Sequence, residues 1–188
     1  MKYFFLIFIT ISLNCFSQNL QKLDENNGFR DIKLGSEINK YQDEIEATVS
    51  NHLVYVNNNP YSISYGYDYA IKRPNNKYER IGEAKILGIF LSVYKGKIRE
   101  IRVVTEFRAE TYELMKLAYG NSWLGESSIT ANWFTKKIFC SLNATPPKPD
   151  ITIITYTDRY IDDQFDLENR IKEKDELKLK QSKAISEF

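Results

Sequence analysis

Ile86-Leu87-Gly88-Ile89-Phe90-Leu91-Ser92-Val93-Tyr94-Lys95-Gly96-Lys97-Ile98-Arg99-Glu100-Ile101-Arg102-Val103-Val104-Thr105 decides the fold. Ile86 to Tyr94 reads as a long apolar strand, with Leu87, Ile89, Leu91 and Val93 on one face. Lys95-Gly96 is a two-residue hairpin signal. Lys97 to Thr105 then returns antiparallel. A regular ladder that sets Val93 opposite Ile98 would place Leu91 against Glu100 and Ile89 against Arg102. One extra residue near Arg99 or Glu100 removes that conflict and returns Ile101 and Val103 to the core face. The pattern therefore predicts a β-bulge there.

Downstream, Arg108 to Tyr119 reads as a helix packed through Leu114, Met115, Leu117 and Ala118, with Gly120 suited to a left-handed C-terminal cap. Ile129 to Thr135 and Ile138 to Asn143 form a second hairpin around Lys136-Lys137. Ile151 to Thr157 is apolar on both faces, which predicts a central strand. From Asp162 the chain is helical and strongly charged. Glu168 with Lys172, Asp166 with Arg170 and Glu176 with Lys180 are favourable pairs four apart. Phe165 and Ile171 are expected to dock the start of this helix.

Upstream, Ser36 is a good N-cap. Ile38, Tyr41, Ile45 and Val49 follow at helical spacing, which predicts a helix over 36–47. His52 to Val56 is a short strand. Tyr61, Ile63, Tyr65, Tyr67, Tyr69 and Ile71 then alternate with Ser62, Ser64, Gly66, Asp68 and Ala70, the period of a half-buried strand. The fold class is α+β: an antiparallel sheet with two packing helices and a charged C-terminal helix. The order of elements is compatible with a repeated helix-plus-strands unit.

The chain opens with Met1-Lys2-Tyr3, an apolar run from Phe4 to Leu13, and small residues at Cys15 and Ser17. This is the pattern of a secretory signal peptide cleaved before Gln18. The run is shorter than the ~20 residues of a spanning helix. Asn14 stands where a lipobox needs a small residue before Cys15. The expected organisation is a signal peptide at 1–17, a flexible lead-in at 18–28, an α+β domain at 29–161 and a charged helix at 162–188. The expected location is secreted or periplasmic, with no transmembrane segment.

The signal segment carries Lys2 and no acid, so 26 bases against 25 acids become an equal number after cleavage. A balanced charge argues against nucleic acid as a partner. Cleavage also removes Cys15 and leaves Cys140 as the one thiol, so no intrachain disulfide can form. Cys140 shares a strand face with Ile138 and Leu142, which reads as a small buried hydrophobe rather than half of a nucleophile pair with His52. A zinc site needs three or four ligands, and one His with one Cys cannot supply them. No EF-hand spacing, Gly-x-Ser-x-Gly elbow or phosphate loop occurs. No metal, cofactor or catalytic residue is expected. Asp158, Asp162 and Asp163 cluster in sequence, while Glu83, Glu100 and Glu106 are scattered. A carboxylate pair among them could serve a glycosidase, but Asp162 and Asp163 more simply favour the positive N-terminal end of the last helix.

Phe29-Arg30-Asp31-Ile32-Lys33-Leu34-Gly35-Ser36, followed by an amphipathic helix, resembles an opening common in small secreted bacterial proteins of unknown function. So does the later grouping of Leu117-Ala118-Tyr119-Gly120, Trp133 and Ile153-Ile154-Thr155-Tyr156-Thr157-Asp158. The arrangement is also similar to the helix-plus-sheet units of SmpA/OmlA-type outer-membrane lipoproteins and of β-lactamase-inhibitor proteins. The resemblance implies a sheet surface that binds another protein and no catalytic residue. The expected function is therefore an exported, non-enzymatic protein that binds another macromolecule, a protein or a glycan. Its expected binding residues are Tyr61, Tyr65, Tyr67 and Tyr69, because tyrosine combines a rigid apolar body with a hydroxyl tip. The alternatives are a carboxylate-dependent hydrolase acting on glycans, and a binder of a small apolar ligand.

Overall fold

The computed structural model describes residues 20–48, 53–56, 59–62, 66–72, 76–122, 130–144 and 151–186. A helix over 20–26 (α1) leads to β1 (Gly28–Phe29), β2 (Ile32–Lys33), a 3-10 turn (Ile38–Tyr41) and β3 (Ile45–Ala47). Next come β4 (Leu53–Val56), β5 (Asn59–Ser62), β6 (Tyr69–Ile71), a second 3-10 turn (Asn76–Tyr78) and β7 (Arg80–Ile81). Then follow β8 (Ala84–Tyr94), β9 (Lys97–Glu106), α2 (Ala109–Tyr119), β10 (Thr130–Phe134), β11 (Ile138–Ala144), β12 (Ile151–Asp158) and α3 (Arg159–Ser186). Among the described residues the main sheet runs β10-β11-β12-β9-β8-β6-β3, antiparallel throughout, with β7 paired to the start of β8. The α+β class with an antiparallel sheet, packing helices and a C-terminal helix is what the sequence predicts.

The central hairpin has the predicted irregularity. Lys95 and Gly96 both take positive φ, 50° and 80°, as a two-residue primed turn requires. Val93 faces Ile98 and Ser92 faces Glu100, so Arg99 is the extra residue. The bulge puts Ile98, Ile101 and Val103 into one buried cluster. A second bulge, which the pattern does not predict, falls at Leu87: Ile86 pairs with Thr105 and Gly88 with Val104. It turns Leu87 away from Ile89 and Leu91 and packs it with Phe90 and Val104 on the opposite side.

One face of the sheet, the inner face, is closed by α1, α2 and the small β1–β2 hairpin. Leu23, Phe29, Ile32, Tyr112, Met115 and Tyr119 pack there against Ile101, Trp133, Cys140, Leu142, Ile154 and Tyr156. Burying side chains of this size contributes roughly 1.5–3 kcal/mol each. Trp133 is fully buried, with Tyr112 and Tyr119 at 6.4 and 6.2 Å between ring centroids. Its Nε1 donates to the Gly120 carbonyl at 2.7 Å, so the indole brings no unmet polar group inside. β12 lies between β11 and β9, the central position its sequence predicts. Cys140 is buried as expected, and burial pushes its thiol far above the ordinary range.

Several expectations are corrected by packing. The 36–47 stretch is not a helix: the 3-10 turn Ile38–Tyr41 gives way to β3, which pairs with β6. Ser36 Oγ donates to the Lys33 carbonyl and caps nothing. Ile38 and Tyr41 still reach the inner core, so the helically spaced apolar residues are served by another backbone. The expected repeat loses its first helix with this change. Residues 20–26 are helical with Leu23 buried, so this part of the expected flexible lead-in belongs to the domain. On α2 the buried face is Thr111, Tyr112, Met115 and Tyr119, while Leu117 is 75% exposed. Gly120 has the positive φ of a cap (84°), but its ψ of −169° is not left-handed helical.

The tyrosine strand is two strands. β5 ends at Ser62, and β6 begins at Tyr69 after a turn at Gly66, where φ is +84°. α3 starts at Arg159, three residues before the expected boundary, because Asp158 Oδ1 accepts from the Tyr160 and Ile161 amides at 3.1 Å each and caps the helix. Phe165 docks edge-on to Tyr94 at 5.6 Å, as expected, but Ile171 is exposed. Glu168 binds Lys95 at 2.5 Å rather than Lys172. No helix of the described residues is long and apolar enough to cross a membrane. Residues 1–19, which include the expected signal segment, lie outside the described residues, as do Val49 and His52.

Candidate functional site

The site follows from the register of the outer face, the side of the sheet away from α1 and α2. Alternation along each strand sends every second residue outward, and the pairings align those residues in rows. One row reads Phe134, Phe139, Thr157, Glu100, Ser92 across five strands. The next reads Asn132, Ser141, Thr155, Arg102, Phe90. A surface groove of about 560 Å³ runs along the first row and is closed at one end by Arg159, Asp162 and Asp163 of α3.

The bulge at Arg99 builds the closed end. Arg99 leaves the ladder and its guanidinium lies 4.0 Å from the Phe165 ring centroid. Its Nη1 donates to Asp162 Oδ1 at 2.5 Å and its Nη2 to Ser92 Oγ at 3.0 Å. The Arg99 side chain is only 13% exposed. An extra residue in β9 thus latches the base of α3 over the sheet.

Glu100 and Arg102 stand side by side at the inner end of the groove. The Tyr67 hydroxyl donates to Glu100 Oε1, and Arg102 Nη2 lies 3.8 Å from the same oxygen. The Arg102 guanidinium covers the Tyr67 ring at 4.3 Å, and Tyr67 packs against Phe90 at 6.2 Å. Burial raises the Glu100 carboxyl above its ordinary value; Arg102 opposes the rise and the Asp162 carboxylate adds to it. Burial correspondingly lowers Arg102, and Glu100 opposes that.

Of the four tyrosines singled out from sequence, Tyr67 joins this cluster. It is 8% exposed and acts as a donor to Glu100, not as a platform. Tyr69 packs toward the inner core, so Tyr67 and Tyr69 do not share a face. Tyr61 is paired with Val54 along the β4–β5 backbone, and Tyr65 lies outside the described residues. Four of the other acids weighed for hydrolysis have structural partners: Asp158 caps α3, Asp162 holds Arg99, Glu83 lies 3.8 Å from Arg80 and Glu106 3.9 Å from Arg108. Among the described residues no three His, Cys, Asp or Glu side chains are placed to hold a metal ion.

Sequence reasoning missed Phe134, Phe139, Thr155 and Thr157. A signal was present: Phe139 falls between Ile138 and Cys140, opposite to the core face they define. An aromatic residue among Ser141 and Asn143 marks an outer face with apolar contact area. No family model, curated protein or solved structure matches this chain.

Proposed function

We propose that this chain is an exported, non-enzymatic binding protein whose outer sheet face receives a segment of another protein. The observation that carries the reading is the row Phe134, Phe139, Thr157, Glu100. Two neighbouring aromatic side chains give contact area, and a hydroxyl and a carboxylate beside them fix orientation. That combination of apolar anchor and polar rim is the usual composition of a protein interface. The partners of Glu100 and Asp162 support a positioning role for these acids.

The test is a comparison of the proteins retained from cell envelope and medium by the parent and by Phe139→Asp, each immobilised at equal density. The reading expects a retained protein that the variant loses by tenfold or more. Identical retention by both would contradict it.

A second reading rests on one observation: Glu100, with a raised carboxyl, shares a groove with Asp162 and Asp163. A raised acid beside a second carboxylate is the arrangement of a glycosidase. It requires release of reducing sugar from a glycan by the parent and loss of that activity in Glu100→Gln. The binding reading requires no turnover in either.

A further inference from the structure

We draw no further inference here: the strongest candidate, the exposed apolar side chains of Leu167, Ile171, Leu177 and Leu179 along the charged C-terminal helix α3, is an unpartnered helix surface, and nothing in the structure shows what covers it.

Discussion

The two faces of one sheet differ in what they are made of. The inner face presents Ile101, Val103, Trp133, Cys140, Leu142, Ile154 and Tyr156, all buried beneath helices. The outer face of the same strands presents Arg102, Asn132, Phe139, Asn143, Thr155 and Thr157, most of them partly or fully exposed. Each residue of one set lies next in sequence to a residue of the other. The difference shows how a period of two lets one segment do two tasks: the inner residues supply stability, and the outer ones supply surface chemistry at little energetic cost. Arg99 is the exception that joins the tasks, since the bulge that saves the inner register also anchors α3 at the outer groove.

Substitutions that test this division differ widely in expected size. Trp133→Ala should be the largest, at about 3–5 kcal/mol, because it opens a cavity between Tyr112 and Tyr119. Chemical denaturation measures it, and a loss below ~1 kcal/mol would break the claim that the inner face carries stability. Arg99→Met should cost about 2 kcal/mol, the range for a hydrogen bond to a charged group. It should also raise amide exchange in the first turns of α3, since Asp162 loses its partner. Exchange unchanged there would separate the bulge from the helix.

A smaller effect is expected at Asp31. Burial would raise its carboxyl, but hydrogen bonds from Lys77 and Tyr78 outweigh that and lower it below its ordinary 3.8. A lowered acid contributes stability that is present above the unfolded value and lost as pH falls through the folded one. The gap between the parent and Asp31→Asn should therefore be widest near neutrality and close as pH falls below 3.8 and through the lowered folded value. A gap that stays constant with pH would contradict this. The sign reverses for Glu100, whose raised carboxyl lowers stability as pH rises above 4.5. Glu100→Gln should flatten that decline. The smallest effect belongs to Leu177→Ser on the exposed stretch of α3, within ~0.5 kcal/mol by thermal unfolding.

The parts of the fold that were legible in sequence are those governed by local rules. The β8–β9 hairpin, its turn and its bulge follow from alternation and from one conflict between facing residues. The 36–47 stretch misled because Ile38, Tyr41 and Ile45 fit a helical stripe, yet pairing of β3 with β6, more than twenty residues away, outweighs helix propensity. The tyrosine row misled because Gly66 breaks the alternation that the residue types alone preserve. The outer groove was less legible for a related reason. Glu100 and Asp162 meet only because the bulge aims Arg99 at α3, and no local pattern encodes that distance. Phe139 was readable, since its position relative to Ile138 and Cys140 already sets it on the outer side.

The most direct test of the division between faces is a paired measurement on Phe139→Asp: unfolding temperature and retention of a protein partner, both against the parent. A surface that binds without stabilising predicts an unfolding temperature within about 2 °C of the parent, together with at least tenfold weaker retention. An unfolding temperature lowered as far as that of Trp133→Ala, or a partner retained equally by both proteins, would contradict the account.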